Sequence, residues 1–138
     1  MTENNLNELA SQRILMEAQM IQQMTEQAEA EIKAIDERID DMNNLAEGIE
    51  GIKKNYDKEI MFPISNGIFM KATPKSKELL VNVGSNVAVI KTPEGAVRII
   101  NGQIKRLSEM KKTAEIRLLE NTAKMQELIQ ELYKGQKE

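Results

Sequence analysis

Apolar positions along the chain repeat in two different rhythms. From Ile14, steps of four and three give Ile14, Ala18, Ile21, Thr25, Ala28, Ile32, Ile35, Ile39, Met42, Ala46, Ile49, Lys53 and Tyr56, and only Thr25 and Lys53 break the series. This rhythm predicts a helix from about Leu6 to Tyr56 with a coiled-coil seam. No proline interrupts it, and at ~1.5 Å per residue the seam is roughly 65 Å long. Gly48 and Gly51 weaken its C-terminal end. A second helix opens with Thr92 as N-cap and Pro93 as first helical residue. Its seam reads Val97, Ile100, Ile104, Leu107, Lys111, Ala114, Leu118, Asn121, Met125, Leu128 and Leu132, with Lys111 and Asn121 as the polar members. Gly135 to Glu138 reads as a frayed tail.

Between the helices the period changes to two. Asn66-Gly67 lies between β-prone runs, and both central residues of a type I′ turn need positive φ, so a hairpin is predicted. It should pair Ser65 with Ile68, Ile64 with Phe69 and Phe62 with Lys71. Pro74, Lys75 and Ser76 break the chain, and a second hairpin turns near Gly84-Ser85-Asn86. Both hairpins are apolar on both faces. In the first, Ile60, Phe62, Ile64 and Phe69 are expected on one side and Met61, Ile68 and Met70 on the other. In the second, Val81 and Val83 oppose Leu80, Val87 and Val89. A hairpin lying on one surface should alternate apolar with polar. These strands call for cover on both sides, and two isolated hairpins are marginal in water. The alternatives are a small buried sheet of one globular domain or a sheet completed by other chains. The rest of the sequence offers no globular core, which favours the second.

Neither helix can bury its stripe alone, so the two should fold back antiparallel. If Tyr56 meets Val97, paired residue numbers sum to 153. Ile49 then faces Ile104, Ala28 faces Met125, Gly51 meets Gly102, Asp41 lies level with Lys112, and Leu132 pairs with Ile21. A register one heptad away uses the same seam. In the 153 register the first helix overruns the second. Leu6, Leu9, Leu15, Met16 and Met20 are then left at a free tip, with Ile129 and Tyr133 off the seam nearby. Methionine is flexible and polarizable and recurs on surfaces that accept many shapes.

Composition narrows the chemistry. The 138 residues carry net charge −3, with no Cys and no His. The commonest metal ligand and general base is therefore absent, and no thiolate chemistry is available. Ser and Thr have no His base beside them. Gly48-Ile-Glu-Gly51 has the wrong spacing for a phosphate loop, and Asp36, Glu37, Asp40 and Asp41 read as a solvated helix face. No enzyme, metal or cofactor is expected. No basic stripe is available for nucleic acid, and no apolar run approaches a membrane span. With a polar, acidic N-terminus unlike a signal peptide, the chain reads as soluble and cytoplasmic.

The order helix, two hairpins, helix, with Pro63-Ile-Ser-Asn-Gly67-Ile-Phe-Met-Lys71 and Leu80-Val-Asn-Val-Gly84-Ser-Asn-Val-Ala-Val89, resembles the alpha class of prefoldin subunits over essentially the whole chain. The resemblance implies an α+β fold: a long antiparallel two-helix coiled coil whose two central hairpins join an inter-subunit β-barrel platform. Its parts would be an N-terminal coiled-coil helix (1–58), two hairpins (59–91), a C-terminal helix (92–134) and a tail (135–138). It implies a hexamer of two alpha and four beta-type subunits that holds non-native proteins without ATP and passes them to a group II chaperonin. Client binding would fall to the tip residues Leu6, Leu9, Leu15, Met16, Met20, Ile129, Leu132 and Tyr133. Assembly would fall to Ile60, Phe62, Ile64, Ile68, Phe69, Met70, Leu80, Val81, Val83, Val87 and Val89. Thr92-Pro-Glu-Gly95 departs from the more acidic helix start usual in that family. The alternative is a coiled-coil scaffold subunit of another oligomeric or filamentous assembly.

Overall fold

The structure, a computed structural model, describes residues 3–137. In chain order they form α1 (Glu3–Lys54), β1 (Ile60–Ser65), β2 (Ile68–Ala72), β3 (Leu79–Gly84), β4 (Val87–Lys91) and α2 (Pro93–Lys137). α2 runs through Gly135, so the expected frayed tail is helical as far as Lys137; Glu138 lies outside the described residues. The chain divides into two compact units, Met1–Glu37 with Ser108–Glu138, and Arg38–Leu107.

In the first unit, Ile14, Ile21 and Leu128 are buried together, with Ala18, Met125 and Leu132 packed against them. Ala28, Ile35 and Ala114 are also buried. The expected seam is correct, but the 153 register is not. The Lys111 ammonium sits 2.7 Å from the Asp36 carboxylate, and Arg117 donates to Glu31 at 3.0 Å. These flanking pairs sum to 147 and 148, and the seam pairs Ile14 with Leu132, Ala18 with Leu128 and Ile21 with Met125 at 146, one heptad below the expectation. Leu132 therefore falls near Ile14, not Ile21, and belongs to the seam.

The polar seam residues account for the choice. At the observed register Asn121, buried, lies level with Thr25, and both border one notch. At 153, Asn121 would face Ile32 and Thr25 would face Leu128; Lys111 lies level with an aliphatic residue in either register, but only the observed one brings Asp36 to it. Each mismatch buries a polar group against apolar neighbours, at about 1–3 kcal/mol apiece. A polar residue in a seam fixes register in this way.

The second unit holds the other seam cluster, Ile49, Ala96 and Ile100, joined by Met42, Ala46, Val97, Ile104, Leu79 and Val81. Lys53 meets Glu94 at 2.8 Å, again summing to 147. Each partner favours the other's charged form, chiefly through their hydrogen bond, so Glu94 is lowered and Lys53 raised from the ordinary value. The pair's support is present at neutral pH. It is lost as acid protonates Glu94 below the usual carboxylate range, and lost again in strong alkali as Lys53 deprotonates. Being exposed, it contributes little.

The expectation that Tyr56 closes the seam against Val97 fails because α1 stops at Lys54. Both the backbone N–H and the side-chain amide of Asn55 donate to the Gly51 carbonyl at 2.9 Å, and Asp57 turns left-handed (φ 66°). Tyr56 leaves the helix, its hydroxyl reaching the Lys75 carbonyl at 3.5 Å and the Lys77 ammonium lying 5.2 Å from its ring. Lys53 is likewise at the surface. Gly51 and Gly102 do not meet, since a Cβ on either would find open space. α2 starts as its sequence dictates: the Gly95 N–H donates to Thr92 Oγ1 at 3.1 Å.

The two hairpins have matching geometry. β1 pairs β2 and β3 pairs β4, as two separate two-stranded sheets. Each turn has two left-handed central residues, Asn66-Gly67 (φ 50° and 77°) and Ser85-Asn86 (φ 51° and 60°). Each hairpin also carries a bulge, at Pro63/Ser65 and at Asn82/Gly84. The bulge corrects the expected pairing. Ser65 does oppose Ile68, but Phe62 opposes Met70, not Lys71, and Pro63, not Ile64, opposes Phe69. Proline lacks the N–H a regular ladder needs and is accommodated at such irregularities. Facing residues share a side, so Phe62 shares its side with Met70, and Val81 shares its side with Val89.

The chain has no cysteine, so engineered pairs can check the register. Ala18→Cys with Leu128→Cys should form an intrachain disulfide on oxidation at low protein concentration. Ala28→Cys with Met125→Cys, opposed in the 153 register, should stay reduced. Non-reducing gels read the result, and the opposite pattern would restore the 153 register.

Candidate binding surfaces

A coiled coil of two helices covers one narrow face of each, so the outer positions decide what it shows to solvent. On α1, Leu6, Leu9, Met16 and Met20 are all more than half exposed, at 52–66%. With Arg13 they step by three and four residues, which is a second heptad stripe on the face turned away from the seam. The positions beside this stripe are Asn5, Ala10, Gln12, Glu17 and Gln19, of which only Glu17 is charged. Flanking charges choose the partner and orientation in coiled coils, and this stripe has almost none. Arg13 crosses it with long contacts to Glu17 (4.0 Å) and Glu131 (3.9 Å).

Ile129 and Tyr133 are exposed off the seam; Leu15 is exposed too, but beside the paired seam and not at a free tip beyond it, because the 153 register fails. Leu132 is half-buried within it and is not a free surface group. Sequence reasoning passed over Met24, Ile116 and Leu119, which are exposed in the same unit, Leu119 at 71%. Their signal was available, since all three fall outside the seam positions. Asp36, Glu37, Asp40 and Asp41 lie along α1 as a helix face, with Asp36 engaged by Lys111.

The hairpins divide more sharply than their composition suggested. In the first, Met61, Phe62, Ile64, Ile68, Phe69 and Met70 are all exposed, and only Ile60 and Ala72 at its base are half-buried. In the second, Leu79 and Val81 turn onto the helical cluster with Ile49 and Ile100, and Val89 shares that half-buried side. Val81 is thus packed against the chain's own helices, and Val89 is half-buried on the same side. The outward side carries Leu80 and Ile90, exposed at 74% and 66%, and Val83 and Val87 are exposed near the turn. Ile90 was missing from the expected set; its pairing with Leu80 identifies it.

Among the described residues no group of His, Cys, Asp and Glu can hold a metal ion, and no helix is long and apolar enough to cross a membrane.

Comparison with known proteins gives a consistent picture. The family profile described as "Prefoldin subunit" matches residues 21–138. The "Prefoldin subunit alpha" of Thermofilum pendens is 30% identical over 101 residues, 72% of this chain and 78% of that protein. The protein of the same name in Methanosphaera stadtmanae is 29% identical over 83 residues, 60% of each chain. That in Pyrobaculum islandicum is 23% identical over 124 residues, 88% of this chain and 93% of its own. Among solved structures, filamentous PFD from Methanocaldococcus jannaschii, seen by cryo-electron microscopy, shares the fold. Its TM-score is 0.73 at 22% identity, over 83% of this chain and 96% of that one.

The division of the second hairpin makes a testable contrast. Val81→Asp places a charge against the chain's own helices. It should cost about 2 kcal/mol, read as roughly thirtyfold faster amide exchange in β3 and β4. Leu80→Asp, one residue away but facing outward, should leave that exchange unchanged. Equal effects from the two substitutions would mean that β3 does not face the helices as described.

Proposed function

The chain belongs to the prefoldin family, in its alpha class, and from that premise we propose that it is a subunit of an ATP-independent hexameric chaperone. Two such chains and four beta-type chains form the hexamer. The assembly holds non-native proteins at its coiled-coil tips and passes them to a group II chaperonin in the cytoplasm. The observation that carries this reading is the exposed stripe Leu6, Leu9, Met16 and Met20, an apolar surface on the outer face of a helix whose inner face is already occupied. Exposed apolar surface of this kind, here crossed by Arg13, marks a binding site or an aggregation liability. The matched family region starts at Ile21, so the stripe is argued from this chain's own residues.

The hairpins supply the assembly half. Phe62, Ile64, Ile68, Phe69 and Met70, with Leu80, Val83, Val87 and Ile90, leave apolar strands in water that neighbouring subunits would cover. Assembly also gives the tips their strength. One buried Leu or Met side chain yields about 1.5–3 kcal/mol at most, and several tips on one client multiply weak contacts into useful retention. A holdase needs that adaptability; the sparsely charged flanks and the methionines serve it.

Changing Leu9, Leu15, Met16 and Met20 together to Ser should leave the hexamer intact by native mass measurement. It should lower protection of denatured clients in light scattering, most for large clients that touch several tips. Single substitutions should barely register. Full protection by the intact four-fold variant would move client binding to the coil walls. Protection confined to one folded partner would favour the scaffold reading.

A further inference from the structure

We propose that Asn66 is a site of spontaneous covalent ageing, open in the free chain and shut by assembly. The inference rests on the proposed covering of the first hairpin by neighbouring subunits. In the reaction the Gly67 backbone nitrogen attacks the Asn66 side-chain amide carbon. The new C–N bond closes a five-membered imide and ammonia leaves. Water then opens the imide at either carbonyl, giving aspartate or isoaspartate. The balance is one water consumed and one ammonia released.

Two contrasts within the chain select this residue. Asn66-Gly67 is exposed at a turn, and the register pairs Ser65 with Ile68, leaving both turn amides outside the ladder. Glycine puts no side chain in the way of its own nitrogen, and a Cβ built there would meet nothing within 4 Å. The same dipeptide recurs at Asn101-Gly102, but inside α2, where the Gly102 nitrogen is held in the helical hydrogen-bond ladder. The equivalent turn of the second hairpin has Asn86 followed by Val87, whose branched side chain crowds the attacking nitrogen.

Ring closure needs a backbone conformation that the left-handed turn, with Asn66 at φ 50°, does not hold. The reaction therefore waits on local opening. The first hairpin is placed to open: its strands are exposed except at Ile60 and Ala72, whereas the second leans Leu79 and Val81 on the helices. A two-stranded hairpin without cover is marginal in water. Cover on both faces would close it and stop the reaction. Isoaspartate adds a backbone carbon to a two-residue turn, so an aged hairpin loses its register and its fit to neighbours. A subunit left without partners would in this way lose the ability to assemble.

The test incubates the full chain, free and mixed with a beta-type partner, at neutral pH and raised temperature. Peptide mapping then reads aspartate and isoaspartate at residues 66, 86 and 101. In the free chain Asn66 should convert about tenfold or more faster than Asn86 or Asn101, and about tenfold slower once assembled. The aged chain should fail to enter the hexamer, while Asn66→Gly, which keeps the turn without the reactive amide, should still assemble after the same incubation. Conversion at Asn66 no faster than at Asn101 in the free chain would overturn the inference and leave the proposed function untouched. Equal conversion at Asn66 in free and assembled chains would instead overturn the shielding, and with it the covering of this hairpin. Normal assembly by the aged chain would overturn the claimed consequence.

Discussion

The seam between α1 and α2 is the constraint on which the rest depends. Two helices share one line of contact, and no large side chain on the described residues is fully buried. The small residues Ala28, Ala96 and Ala114 are the most enclosed, because they let the helices approach. A fold with so thin an interior has no second layer in which to hide apolar groups. Most Leu, Ile, Met and Phe side chains off the seam are therefore exposed by geometry, and the position of each decides whether it serves a purpose. The outer stripe of α1 and the outward hairpin faces are the two places where such residues gather.

Both helices, both hairpins and their turns were legible in the sequence, because the chemistry that sets them is local. Heptad spacing, Thr92-Pro93 and Asn66-Gly67 each act within a few residues. The pairing of the helices was not legible in the same way, since a shift of seven residues returns apolar opposite apolar. What separates the registers is a few polar residues: Thr25 and Asn121, which could have been matched to one another beforehand, and Lys111 with Asp36 beside the seam. The assumed anchor at Tyr56 failed for a related reason: the Asn55 side chain and the left-handed Asp57 end the helix early, and heptad counting does not register either.

The hairpin faces show the same limit at smaller scale. Alternation assigns sides correctly until an extra residue enters one strand, and then every assignment across the bulge is offset. Pro63 was the visible warning, as a residue that a regular ladder does not favour. The outer stripe of α1 was half read: its residues were identified as exposed, but their heptad spacing and sparsely charged flanks emerge only once the seam face is fixed. The family match stands on most of the chain and begins just past this stripe, at Ile21.

The bulges and Pro63 also bear on a hazard. Apolar strands with free edges are templates on which further strands can stack without limit. Here each strand is only five or six residues long, each hairpin is interrupted by a bulge, and β1 contains a proline. The short strands and the bulges leave sticky faces but a poor edge. A chain waiting for its partners can thus be hungry for contact without seeding a fibril.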